Sequence, residues 1–186
     1  MKYLLIVTCL VFLSSQNANA KYTLNTDVRY FPIYETNPDN VIFEIYKKMS
    51  DECESKDPVF ACMVSTTNTK YRTIPVRKGI CAVHSFNLEV LQLYLIPKWE
   101  GRSQHSVALQ NKWIELLNNR TTNQLNHGEM LKQEMKKAHK EILGLNTSCS
   151  KIKSTVRKIL NRATKDAAKE FKSHNRKEKY KITFPN

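Results

Sequence analysis

Apolar residues in this chain follow two regimes, alternating in the first half and spaced at three and four in the second. Residues 22–34 alternate at Tyr22, Leu24, Val28 and Tyr30, which predicts one or two short strands. Asn37-Pro38-Asp39-Asn40 reads as a turn and a helix start. Residues 41–49 then place Ile42, Ile45, Tyr46 and Met49 on one stripe of a short amphipathic helix. Residues 59–65 and 71–76 are rich in β-formers, with Thr66-Thr67-Asn68-Thr69 between them, and Lys78-Gly79 marks a turn. The strongest strand pattern spans residues 80–96, with Val83, Phe86, Leu88, Val90, Leu93 and Leu95, and it ends at Pro97.

Beyond Pro97 the period changes. Residues 105–118 predict a helix with Val107, Leu109, Trp113, Leu116 and Leu117 inward. Asn118-Asn119-Arg120-Thr121-Thr122 reads as a polar break. A second helix opens at Asn123-Gln124-Leu125-Asn126-His127 and continues through Leu131, Met135, Ala138 and Ile142. Gly144 ends it, and Asn146-Thr147-Ser148 caps a last helix over about residues 150–176. That helix carries Ile152, Val156, Ile159, Leu160, Ala163, Ala167 and Phe171 at helical spacing. Strands first and helices second predict an α+β fold. The expected arrangement is an N-terminal antiparallel sheet with one short helix, covered by a C-terminal layer of three helices.

Residues 1–20 are expected to stand outside this fold. Lys2 precedes an apolar run of eleven residues, 3–13, and Ala18-Asn19-Ala20 supplies an A-x-A cleavage signal. This is the form of a secretory signal peptide, too short to span a membrane as a stable helix. No later stretch approaches ~18 apolar residues, the length of a membrane span. Residues 21–186 therefore read as one exported domain, in the periplasm or outside the cell, without a transmembrane segment.

Charge adds a candidate partner class. The chain carries a net +13, or +12 once Lys2 is removed. Residues 151–181 hold twelve Lys/Arg against three acidic residues, a local +9. An apolar stripe docks this helix and leaves a basic outer face suited to anionic envelope polymers, lipid headgroups or nucleic acid. Aromatics are few there, Phe171 and Tyr180, which argues against base stacking and specific nucleic-acid binding. Lysines are also spread along the whole chain, where they serve solubility.

Four cysteines remain after cleavage: Cys53, Cys62, Cys81 and Cys149. An even number in an exported chain implies two disulfides, with three pairings open. Cys53–Cys62 with Cys81–Cys149 is the favoured set, a short loop and a tie between the two halves. No C-x-x-C spacing points these thiols to zinc.

The candidate chemistry lies in residues 123–127. Asn123 and His127 are four apart and share the inward helix face. Zinc hydrolases often carry H-E-x-x-H at such a place, with two imidazoles on the metal and a glutamate as general base. Here the same five positions read Asn-Gln-Leu-Asn-His. Asn123 has no imidazole, and Gln124 takes no proton at neutral pH. The other histidines do not complete a site. His139 lies about 18 Å beyond His127 along a helix, and His84, His105 and His174 read as surface or packing residues.

The ordered set of Ile96-Pro97-Lys98-Trp99, Trp113, Cys81 and Cys149 around this stretch resembles a known bacterial family. That family is the predicted secreted Zn-dependent proteases, also described as a domain of unknown function, and the likeness covers nearly all of residues 21–186. The resemblance implies a signal peptide, a β-α opening segment and an H-E-x-x-H helix after the second tryptophan, and it leaves a zincin-like arrangement open. Two registers are available. One places the motif on Asn123, Gln124 and His127 and keeps the family spacing from Trp113. The other places it on His127-Gly128-Glu129-Met130-Leu131 and needs a four-residue insertion. The first is preferred. In it two of three working residues have become amides, so a non-catalytic protein with a binding or assembly role in the envelope is expected. An active metallohydrolase using His127 as a metal ligand with partners from elsewhere, and a basic module for anionic polymers, are the alternatives. No cofactor is expected unless the site is live, in which case it is zinc.

Overall fold

The computed structural model describes residues 20–177. The signal-peptide reading therefore lies outside the described residues apart from Ala20, as does the end of the basic segment beyond Lys177. Four strands and three helices follow in the order β1 (Lys21–Ile33), α1 (Pro38–Glu52), β2 (Cys62–Arg77), β3 (Ile80–Trp99), α2 (Val107–Leu143), β4 (Asn146–Ser148) and α3 (Ile152–Lys177). The fold is α+β, as the two regimes of periodicity predict.

β3 is the centre of the sheet, with β1 on one side and β2 on the other. β2 and β3 form an antiparallel hairpin that closes at Arg77 and Ile80. Gly79 turns it at φ +72°, a left-handed conformation that glycine adopts without strain. Residues 66–69 do not interrupt β2. Three of the four are threonine, which suits a half-exposed pleated strand. β1 runs parallel to β3, from Lys21 beside Asn87 to Ile33 beside Trp99. The sheet is thus mixed rather than wholly antiparallel. Alternation reports which face a residue takes and not which way its neighbour runs. The crossover that a parallel pair needs is supplied by α1 and the β2 hairpin arm.

The expected third helix of the C-terminal layer is absent among the described residues, because residues 118–122 do not break α2. α2 runs unbroken for 37 residues, about 55 Å. Asparagine and threonine in a helix interior cost only about 0.5–0.7 kcal/mol each, and neither glycine nor proline is present to force a stop. Packing on both sides, at Trp113 before the stretch and Leu131 after it, holds the helix through it. Ser106 caps its start by accepting from the Leu109 N–H, and Gly144 closes its end. Asn146–Ser148, expected only to cap the last helix, also pairs with Ile80–Ala82 as β4.

Two apolar clusters result. In the larger, Phe86, Leu88 and Val90 of β3 meet Leu131, Met135 and Ile142 of α2 and Val156, Ile159 and Ala163 of α3. In the second, Ile33 and the α1 stripe of Val41, Ile45 and Met49 meet Leu95, Trp99, Phe60 and Trp113. Both disulfides form in the favoured pairing. Cys53–Cys62 ties the end of α1 to the start of β2, and Cys81–Cys149 ties β3 to the turn before α3. No helix of the described residues is long and apolar enough to cross a membrane.

Candidate functional site

The middle of α2, between the two clusters, is where the sequence places its candidate chemistry. Asn123 is 7 % exposed, with Gln124 and His127 half-buried around it. Asn123 and Gln124 line a cleft of about 260 Å³ together with Arg120, Phe171 and residues 58–61. The cleft wall at residues 58–61 is held in place from α1. Cys62 is bonded to Cys53, and the Val59 N–H donates to Ser50 Oγ at 3.3 Å.

His127 sits one turn further along. Its ring stacks on Phe171 with centroids 4.1 Å apart and planes within 7°. Burial lowers its pKa below the ordinary imidazole value, so the neutral ring is favoured at pH 7. Packing against α3 is therefore the role of this imidazole in the structure.

Asn123 carries the least satisfied group of the site. Its Oδ1 is buried and accepts no hydrogen bond. An unmet buried acceptor costs about 1–3 kcal/mol, which is unusual at a well-packed helix. Arg120 stands three residues earlier, on the same side of α2. Its pKa is lowered by burial, an effect partly offset by Tyr46 on α1, and the guanidinium stays charged.

The positions of the second register go elsewhere. Glu129 is exposed and accepts from Lys132 Nζ at 2.7 Å, which with the neighbouring lysines lowers its pKa. Leu131 belongs to the apolar core. Gly128 is pressed against the sheet. A Cβ at Gly128 would stand 1.7 Å from Tyr94 Oη. Gln92, only 2 % exposed, donates to the Gly128 carbonyl at 2.7 Å and accepts from Tyr94 Oη at 3.2 Å. This trio sets how closely α2 lies on β3. The periodic reading passed over it because Gln92 is a polar residue on the inward face. The usable signal was the lone glycine inside a helix, which marks close packing.

The remaining histidines disperse. His139 is buried and its Nε2 lies 3.0 Å from the Phe86 carbonyl, so that nitrogen carries the proton and donates. His105 stacks on Trp99 at 4.8 Å, and His84 is exposed. Among the described residues, no group of three or more His, Cys, Asp and Glu could hold a metal ion. Around Asn123 the donors are one imidazole committed to a stack, two carboxamides and a guanidinium. That set does not fit zinc, which takes imidazole, thiolate or carboxylate.

Arg120, Phe60 and Phe171 were not legible as site residues. Arg120 lay in a stretch that read as a break, and Phe171 read as one more position of an apolar stripe.

A family model described as bacterial protein of unknown function (DUF922) matches residues 28–181. No curated protein and no solved structure matches the chain.

Proposed function

The chain belongs to this family of bacterial proteins of unknown function, and on that footing we propose an exported, protease-like protein whose cleft binds and does not cut. The observation that carries the reading is the chemistry of the cleft wall. Where the family resemblance puts a zinc ligand and a general base, Asn123 and Gln124 present two carboxamides to a cleft. Carboxamides hydrogen-bond well but neither hold zinc nor take a proton from water. The leader pattern of residues 1–20 and two disulfides support export to an oxidising compartment.

Zinc content and hydrolysis of an unstructured protein such as casein test it together. The expected result is neither stoichiometric zinc nor cleavage, with zinc uptake gained in Asn123→His/Gln124→Glu. Stoichiometric zinc that is lost in His127→Ala would overturn the reading in favour of a live metallohydrolase.

A second role rests on α3, where Lys158, Lys165, Lys169 and Lys172 are all exposed along one side. This face suits anionic envelope polymers. Retention on heparin should fall steeply with salt and with Lys→Glu changes at these positions. Retention unmoved by those changes would remove it.

A further inference from the structure

The two outer edges of the sheet are finished differently. β2 is the edge on one side of β3, and β1 is the edge on the other. Along β2 the register shifts twice, at Arg72/Thr73 and at Pro75/Arg77. Irregularities and prolines of this kind keep a sheet edge from pairing further. β1 instead keeps one unbroken register with β3 over its 13 residues. Residues 25–30 are all exposed, so both faces of that part of the strand are open. Val28 and Tyr30 leave apolar surface in water there, at 42 % and 59 % exposure. Among the described residues no strand pairs with the outer side of β1.

Two residues show which backbone groups face outward. In a strand the N–H and C=O of one residue point to the same side, and successive residues alternate. The Val28 N–H donates to the side chain of its neighbour, Asp27 Oδ1, at 2.9 Å. Pro32, on the same side of the alternation, has no N–H to give. A sheet accepts proline where its nitrogen faces away from the ladder. Thr26, Val28 and Tyr30 therefore turn their backbone groups away from β3, a row of donors and acceptors open to one more strand.

Charge selects the partner. Asp27 and Arg29 are two apart and share one face of β1. Lay the strand antiparallel against a second copy of itself, with a two-fold axis at Val28. Asp27 then stands opposite the partner's Arg29 on both sides of the axis, and Thr26 stands opposite the partner's Tyr30. Opposite charges, and an aromatic facing a β-branched residue, are favourable cross-strand pairs. Moving the axis by one residue sets Asp27 against Asp27, or Arg29 against Arg29, and like charges directly opposite repel.

We propose that this protein forms a symmetric dimer by antiparallel pairing of β1 with β1, its axis at Val28. The two Val28 residues exchange N–H···O=C bonds. Each Asp27 carboxylate turns from its own Val28 N–H to the partner's Arg29. The net +13 of each copy opposes association at a distance, but charges are screened beyond about 8 Å at physiological ionic strength and the contact pairs are not. One strand a side is a small interface, so the dimer is of the weak, concentration-dependent class. It is independent of what the cleft binds.

Sedimentation velocity of the purified protein, over a range of concentrations at physiological ionic strength, tests it. The apparent mass should rise from one chain toward two. Arg29→Asp and Asp27→Arg should each weaken association at least ~10-fold, because two attractive pairs turn repulsive at once. An equimolar mixture of these two variants should associate again, since each supplies the charge the other lacks. The exchange Asp27→Arg/Arg29→Asp in one chain should likewise restore the dimer. Val28→Pro removes the central outward N–H and should abolish it while leaving the β1–β3 ladder in place. Circular dichroism checks that each variant folds, and the mixed charge variants still decide if Val28→Pro does not.

The mass of a single chain at every concentration would overturn the inference. A dimer that survives Val28→Pro and both charge variants would overturn it as well, because another surface then holds the copies together. Association lost in the single charge variants and not regained in their mixture would overturn the pairing of Asp27 with Arg29, and with it the axis at Val28.

Discussion

Twelve residues separate His127 from His139 on one helix, and the two imidazoles meet different surroundings. His139 belongs to a half of α2 in which side chains are answered. Its Nε2 donates to Phe86, its ring is flanked by Phe86 and Tyr22, and Leu131, Met135 and Ile142 fill the space about it. His127 sits near the middle of α2, where Asn123 and Gln124 line a cleft. It has a ring to stack on, but the Asn123 Oδ1 one turn away has no donor. The helix is thus packed and hydrogen-bonded in the first region and carries one unmet acceptor beside a cleft in the second. Proteins tolerate such deficits where a surface is used for binding, at some cost in stability.

The packed region should be the more fragile to substitution. Loss of Cys81–Cys149, which closes 68 residues, should lower unfolding stability by about 4 kcal/mol from loop entropy. Loss of Cys53–Cys62, which closes 9, should lower it by about 2.6 kcal/mol, measured by urea unfolding of the Cys→Ser pairs. An equal effect would mean the two bridges act by something other than loop length. Leu131→Ala should cost about 2–5 kcal/mol through the cavity it leaves. Gly128→Ala should cost about 1–3 kcal/mol or more, because its Cβ meets the buried Tyr94. Adding Tyr94→Phe should return part of that loss in a double-mutant cycle, and no coupling between the two would discard the close-approach account.

The region beside the cleft should behave the other way. Asn123→Leu removes an unmet buried acceptor and keeps the volume, so it should be neutral or raise stability by about 1 kcal/mol. A loss of 2 kcal/mol or more would show that Asn123 is structurally satisfied after all.

The smallest effect concerns pH. An unfolded chain protonates His127 near the ordinary value of about 6.5, whereas burial holds the folded imidazole neutral to lower pH. Below about 6.5 the unfolded state therefore binds the extra proton, and stability declines as pH falls toward the depressed folded pKa. His127→Phe keeps an aromatic ring against Phe171 and removes the titration. Its melting temperature should fall less than that of the parent between pH 7.5 and 5.5, and identical slopes would sink the assignment.

How much of this was legible in the chain depends on what periodicity records. It places Phe86, Leu88 and Val90 inward on β3, and it places the Leu131, Met135, Ala138 and Ile142 stripe on α2. It fails at Gln92 and Tyr94, because a polar residue on the inward face looks like a phase change. The apparent shift to Leu93 and Leu95 has a physical source. Near its C-terminal end β3 is covered on both faces, so Tyr94, Leu95 and Ile96 are all buried, and alternation no longer marks a side. The cleft was only half visible. Asn123, Gln124 and His127 stood out by spacing, whereas Arg120 on α2, Phe60 in the connection before β2 and Phe171 on α3 reach the same place from distant parts of the chain. No local pattern in the sequence joins them.

The parallel course of β1 carries a consequence for the order in which the sheet is completed. The β2–β3 hairpin closes over positions only three apart, Arg77 and Ile80, and can form as soon as both are made. Lys21 must wait for Asn87, 66 residues later, and cannot be delivered by a tight turn. Docking of the first strand is thus a non-local, late step in the maturation of a nascent chain. Until it occurs, the flank of β3 stays unpaired, and that flank is where two newly made copies are most exposed to pairing with each other.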